Sequence, residues 1–278
     1  MTEQEGGVIL VTGGSQGNGR AVALTIAGHG GALVAHGLTE NSAREAAEEI
    51  AVGGGTATAT WGPITSRSAV ETALFEYGRL DTLVASAGIQ RYGDVLSTSV
   101  ETWDEVFAVN VKGVFLAAQA ALSHLRKGPA GSIAIVASVQ ATATQKQVAA
   151  YAASKGALIT LTRSMAVDEA AFGVRVNSVS LGSVDTPMLR SAAQMFGDAS
   201  SAGTDETMAT WGRAHPLGRI ATAAEIAEVV SFVTSTRASF LTGADIRVDG
   251  GLLSQLATPL PAVSAIPLNR PPTHSSTG

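Results

Sequence analysis

The chain is predicted to fold as one α/β domain, a doubly wound Rossmann-like parallel sheet of about seven strands with helices on both faces. Three observations predict it. Short β-prone runs alternate with helical runs along most of the chain. Runs such as Leu83–Val84 and Ile133–Val136 are apolar on both faces, as strands covered by helices on both sides must be. The first strand also leads directly into a glycine-rich turn that opens a helix. With 278 residues, 45% of them hydrophobic, there is enough apolar material for one sizeable core.

The strands are read over Val8–Thr12, Ala32–His36, Thr56–Trp61, Thr82–Ser86, Ser132–Ala137, Val174–Ser180 and Asp245–Val248, from their β-branched and apolar content. Helices are read over Gly17–Ala27, Ser42–Ala51, Ser66–Tyr77, Glu101–Leu125, Ala149–Phe172 and Ala223–Thr234, where apolar residues recur three or four apart. Two stretches break the alternation. Thr186–Arg213 is long, rich in Ser, Ala, Gly and Asp, and carries Met188, Met195, Met208 and Trp211; it suits a mobile lid over a substrate better than a linker. The last 24 residues hold five of the nine prolines, which disfavours a packed helix or strand. The expected division is a domain over 1–254 and a flexible tail over 255–278.

Composition excludes several classes. The chain has no cysteine, so disulfides, thiolate nucleophiles and Cys-based zinc sites are ruled out. His29, His36, His124, His215 and His274 show no ligand spacing and read as solvated or packing residues, so no metal is expected. A net charge of −5 gives no reason to expect nucleic acid or an anionic membrane as partner. Met1–Gly6 is polar and acidic, unlike a secretory signal, and no apolar run is read as reaching the roughly 18 to 20 residues that span a bilayer. A soluble, cytoplasmic protein is the expectation.

Two constellations carry chemistry. After the apolar strand comes Thr12-Gly13-Gly14-Ser15-Gln16-Gly17-Asn18-Gly19, then a helix. Glycine permits the tight turn and lets backbone N–H groups approach a pyrophosphate at a helix N-terminus, where the dipole favours an anion. No Gly-Lys-Ser/Thr follows, so it is not a Walker loop. Later, Tyr151-Ala152-Ala153-Ser154-Lys155 puts a phenol and an ammonium one turn apart on one helix face. A neighbouring cation favours the phenolate and would bring a proton donor-acceptor within range of neutral pH. Ser138 lies thirteen residues before Tyr151, just past an apolar strand.

Together these motifs resemble the classical short-chain dehydrogenase/reductase family, and the likeness runs from Gly7 to about Leu253. Asn110, in Val109-Asn110-Val111-Lys112-Gly113, matches the family's fourth catalytic residue. The resemblance implies NAD(P)-dependent hydride transfer at a hydroxyl or carbonyl carbon. Tyr151 would exchange a proton with the substrate oxygen, and Ser138 would stabilise charge on that oxygen. Lys155 would hold the nicotinamide ribose and depress the Tyr151 pKa, while Asn110 would place a relay water. Cofactor contacts are expected from Gly13, Ser15, Gln16, Gly17, Asn18, Gly19, Leu38, Thr39, Ile64, Ser86, Ala87, Gly88, Tyr151, Lys155, Gly182, Val184 and Thr186. Pro216-Leu217-Gly218-Arg219 and Val248-Asp249-Gly250-Gly251 match its C-terminal signature.

The sequence departs from the family pattern at Asn18, Ser86, Leu181 and Pro63. Leu38 is read at the place where NAD-specific relatives put an aspartate, and Gln16 where NADP-specific ones put a basic residue. NAD and NADP both stay open, with a slight lean to NADP. The segment between Ser138 and Tyr151 is polar, and Gln140, Gln145 and Gln147 suit a substrate with several hydroxyls, a sugar or polyol. The alternatives are a 3-oxoacyl thioester or ketone reductase and, in another class, a non-catalytic dinucleotide sensor. The family resemblance also implies a homo-oligomer, a tetramer built through the long helices.

Overall fold

The computed structural model describes residues 6–66, 71, 77–197 and 200–256. Seven strands form one sheet: β1 (Val8–Thr12), β2 (Ala32–Gly37), β3 (Thr56–Trp61), β4 (Thr82–Ala85), β5 (Ser132–Ser138), β6 (Arg175–Leu181) and β7 (Asp245–Val248). Their order is β3-β2-β1-β4-β5-β6-β7 and every pairing is parallel. The expected sheet is therefore present, with strand ends moved by a residue or so.

Alternation along each strand assigns its side chains to two cores. Leu10, Val34, Leu83, Ile133 and Val176 face one way, under α4 (Gly113–Leu125) and α5 (Ala149–Glu169). Ile9, Val11, Leu33, Val84, Ala134 and Val179 face the other, under α1 (Gly17–Gly28) and α8 (Ala223–Thr234). The remaining helices are α2 (Glu40–Val52), α3 (Val100–Phe107), α6 (Pro187–Phe196) and α7 (Ser201–Arg213). Strand order reverses between β1 and β4, so their carboxyl ends open a crevice where loops from both halves meet.

Three expectations change. The helix read as continuous over Glu101–Leu125 is α3 and α4 joined by a π-helical turn, Ala108–Lys112. By length and composition Val100–Leu125 could cross a membrane, contrary to the sequence reading, yet Val106, Val114, Ala117 and Ala121 on it are buried inside the protein. The stretch over Thr186–Arg213 holds two helices: Thr186 caps α6, with Pro187 in its first turn, and Ser200 caps α7. The helix expected over Ser66–Tyr77 falls mostly outside the described residues, as does the tail beyond Leu256.

Candidate active site

The glycine turn lies between β1 and α1. The side chain of Gln16 at the α1 N-cap makes no capping hydrogen bond, and the first turn carries no acidic residue. By contrast Thr39, Thr186, Ser200 and Thr222 each close the helix they precede with a hydroxyl. The first amides of α1 are thus left for an anion. A side chain at Gly19 would overlap the Gly13 carbonyl, which is why the helix can start this close to the turn only with glycine there. Thr12 anchors the neighbouring loop: its carbonyl accepts from the Ser86 N–H (3.1 Å) and its hydroxyl from the Ala87 N–H (3.5 Å).

The loop after β6 faces the same turn, since a Cβ on Gly17 would lie 3.5 Å from Cγ2 of Thr186. Its backbone is fixed on two sides. The Ala221 N–H donates to Ser183 O (2.9 Å) and the Asp185 N–H to Ala221 O (2.9 Å). His215, read from sequence only as solvated or packing, is buried and takes part directly. Its Nδ1 lies 3.0 Å from the Trp211 carbonyl, which can only accept, so Nε2 is the acceptor for the Ser183 N–H at 3.2 Å.

The structure brings the four expected catalytic residues together. Ser138 ends β5 and Tyr151 and Lys155 lie on the first turns of α5, all three buried. The Ser138 hydroxyl lies close enough to the Tyr151 phenol to oppose the rise of its pKa, and Lys155 Nζ lies 5.6 Å from the Tyr151 ring centre. Lys155 Nζ also donates to the Val136 carbonyl at 2.9 Å. Asn110 sits in the π-helical turn with no exposed surface. Its Oδ1 accepts from the Ile89 N–H (2.8 Å), while Nδ2 donates to Ile89 O (2.9 Å) and Ser154 Oγ (3.0 Å). A Cβ on Gly88 would meet Asn110 Oδ1 at 3.4 Å and Lys155 Nζ at 3.7 Å, so this glycine keeps the space between them open.

Burial dominates the electrostatics. It pushes Tyr151 up to about 12, against the lowering effect of the Ser138 hydroxyl, and Lys155 down to about 8. Lys155 is not among the groups that set this shift in the dinucleotide-free protein. Desolvation outweighs the lowering effect of the Ser138 hydroxyl, so Tyr151 holds its proton at neutral pH.

The other expected residues divide. Gln140 follows Ser138 closely, and its backbone N–H donates to Ser138 Oγ at 3.2 Å. Gln145 is an exposed loop residue. Gln147 turns away, with a positive φ of 63° and its Nε2 donating to Asp94 at 3.4 Å. At the other end of the crevice Leu38 is 72% exposed, Thr39 is engaged with Ser42, and Ile64 is buried against Gly113. Asn18 Oδ1 is enclosed without a partner, a cradle feature that fits a bound dinucleotide.

Residues 13–253 match a family model described as enoyl-(acyl carrier protein) reductase. The chain is 38% identical to the cyclopentanol dehydrogenase of Comamonas testosteroni, over 88% of this chain and 96% of that one. It is 32% identical to the 3-oxoacyl-[acyl-carrier-protein] reductase of Escherichia coli, over 89% and 98% respectively. Among solved structures, the ligand-free aldohexose dehydrogenase of Thermoplasma acidophilum superimposes with a TM-score of 0.85 at 31% identity, covering 94% of this chain and 99% of that one. The chain is an oxidoreductase that transfers a hydride between NAD(P) and a hydroxyl or carbonyl carbon. With the parallel sheet, the open helix start and the Ser-Tyr-Lys-Asn cluster in place, it belongs to the short-chain dehydrogenase/reductase family.

Proposed function

We propose that the substrate is a small polyhydroxylated molecule, a sugar or polyol, and that Asn110, Ser138, Tyr151 and Lys155 are the groups that act on it. One observation carries the substrate reading. Oε1 of Gln140 is enclosed without any partner, two residues from the serine that would meet the reacting oxygen. A buried amide without a partner is costly, and a second substrate hydroxyl would satisfy it. Gln145 would reach the substrate from the exposed side.

The dinucleotide would take up the hydride when a sugar or polyol hydroxyl is oxidised and supply it in the reverse reaction. The amides of Gln16 to Gly19, with Gly13 and Ser15, would hold its pyrophosphate, and Ser86, Ala87, Gly88 and Ile64 would border its adenosine half. Gly182, Val184 and Thr186 would face the nicotinamide end. Lys155 would hold the ribose there, and Tyr151 would take the proton from the substrate hydroxyl during oxidation and return one to the carbonyl oxygen during reduction. Ser138 would donate a hydrogen bond to that same oxygen, and Asn110 would keep the Ile89 backbone and a relay water in place.

We infer that NADP is preferred. No carboxylate stands at the end of β2. A Cβ on Gly37 would meet Ser15 at 2.9 Å and Ser42 Oγ at 3.2 Å, so this point of the crevice is lined by small and hydroxyl residues, with Leu38 and Thr39 next in the chain. We also propose a cytoplasmic homotetramer, supported by the apolar outer face of α3, α4 and α5, where Phe107, Val111, Phe115 and Leu161 line a shallow hollow.

The test follows nicotinamide absorbance with both dinucleotides against aldoses, polyols and simple alcohols, with Tyr151→Phe as control. Sugar or polyol turnover that disappears in the variant supports the reading. A preference for 3-oxoacyl thioesters would favour the second reading, which the Escherichia coli relative supports. Dinucleotide binding with no turnover in either direction would leave the sensor.

A further inference from the structure

We propose that Tyr92 and Phe196 form an aromatic wall of the substrate pocket that selects a cyclic alcohol or ketone over an open-chain one. The inference rests on the reading of Ser138 and Tyr151 as the substrate-facing groups. Tyr92 follows β4 by a few residues, in a strap bound to the segment that leads into the catalytic helix. The Gly93 N–H donates to Gln147 O (2.8 Å) and the Ala149 N–H donates to Gly93 O (3.1 Å), making a short bridge between Gly93 and Val148. Asp94 adds a side-chain link to Gln147. These bonds tie the strap that carries Tyr92 to Val148, three residues before Tyr151 and just ahead of the helix that carries it.

Phe196 arrives from the opposite side. It is the last residue of α6, whose first turn faces the glycine turn through Thr186. Its ring meets that of Tyr92 edge to face, with centres 4.7 Å apart and planes at 84°. The contact joins the strap after β4 to the helix after β6 across the substrate side of the crevice. Burial pushes the Tyr92 phenol up, so it remains a neutral donor, and Phe196 keeps 55% of its surface exposed.

Such a wall discriminates by shape. A six-membered ring presents a flat C–H face that an aromatic side chain covers in one step, with few torsions to freeze. An open chain of the same carbon count must lose rotor freedom to offer the same area. Cycloalkanols and pyranoses share this property. The Gln140 amide beyond the wall separates them by whether a second hydroxyl is present.

The experiment uses matched probes: cyclohexanol with hexan-2-ol, and glucose with sorbitol. Dissociation constants are measured by calorimetry on the Tyr151→Phe protein saturated with dinucleotide, beside turnover of the unmodified enzyme. The ring of at least one pair should bind about fivefold more tightly than its chain. Phe196→Ala should bring that ratio to about one, and Phe196→Tyr should keep it. Tyr92→Phe should keep the ring preference too. The pair that shows the preference identifies the ring as cycloalkanol or pyranose. Equal affinities, failure of both rings to bind, or a Phe196→Ala loss shared equally by ring and chain overturns the wall. Absence of turnover with the ring preference intact removes the sugar or polyol reading of the substrate and leaves the wall standing.

Discussion

The two ends of the crevice are built differently. At the end proposed as catalytic Asn110, Ser138, Tyr151 and Lys155 are all buried, and Asn110, Ser138 and Lys155 are tied to backbone by hydrogen bonds. At the adenosine end Leu38 is 72% exposed, and Thr39 and Ser42 satisfy mainly each other. Side chains that must meet a reacting atom repeatedly in one geometry are held by packing. Side chains that only choose between ligands sit on a loop, where a substitution changes preference without disturbing a core.

The sharpest way to break that contrast is Tyr151→Phe. It should lower kcat by about a thousandfold while leaving dinucleotide affinity within about twofold, read by stopped turnover and by fluorescence titration. An equal loss of affinity would mean the phenol works as a binding group. Next is Asn110→Ala, which strands the Ile89 N–H and carbonyl and leaves the Ser154 hydroxyl only its bond to the Tyr151 carbonyl. Urea unfolding should show a loss of about 3 kcal/mol, and kcat should fall at least about tenfold.

Lys155→Met separates activity from stability. The native lysine titrates near about 8, below its ordinary 10.5, so between those values the unfolded chain holds a proton that the native one lacks. Stability of the dinucleotide-free protein should then rise with pH through that window, because the unfolded state binds more protons there. Below it the charge is buried at full cost. The methionine variant should be inactive and melt a few degrees higher at pH 7, by roughly 3 °C, with the gain shrinking toward pH 10. The smallest expected effect is at the other end: Leu38→Asp should shift the ratio of kcat/KM values toward NAD by about tenfold, with an unchanged melting temperature.

This asymmetry also decides what could be read in advance. The strands announced themselves through β-branched and apolar runs, β3 by its alternating threonines, and the glycine turn and the Tyr151–Lys155 spacing through local pattern. Periodicity could not show the π-helical turn at Ala108–Lys112, because one extra residue shifts the helical phase without changing the kinds of residue present. The α6 and α7 helices hid behind small, polar composition, although Thr186 before Pro187 and Ser200 before α7 are capping signals that could have marked them. Nothing local indicates that Tyr92 meets Phe196 or that His215 holds Ser183, since both contacts are made by the tertiary fold. The orientation of Gly37 toward Ser15 likewise emerges only once β2 is placed beside the glycine turn.

The π-helical turn makes the enzyme sensitive to a change that alters no catalytic side chain. Removing one residue between Ala108 and Lys112 would let the wide turn close into regular α-helix, with α3 and α4 kept nearly in phase and only the side chains inside the turn redirected. Asn110 would then leave Ile89 and Ser154, while Ser138, Tyr151 and Lys155 stayed where they are. An in-frame loss of a single codon here should therefore cost activity as loss of Tyr151 is expected to, although Ser138, Tyr151 and Lys155 would all still be present in the product.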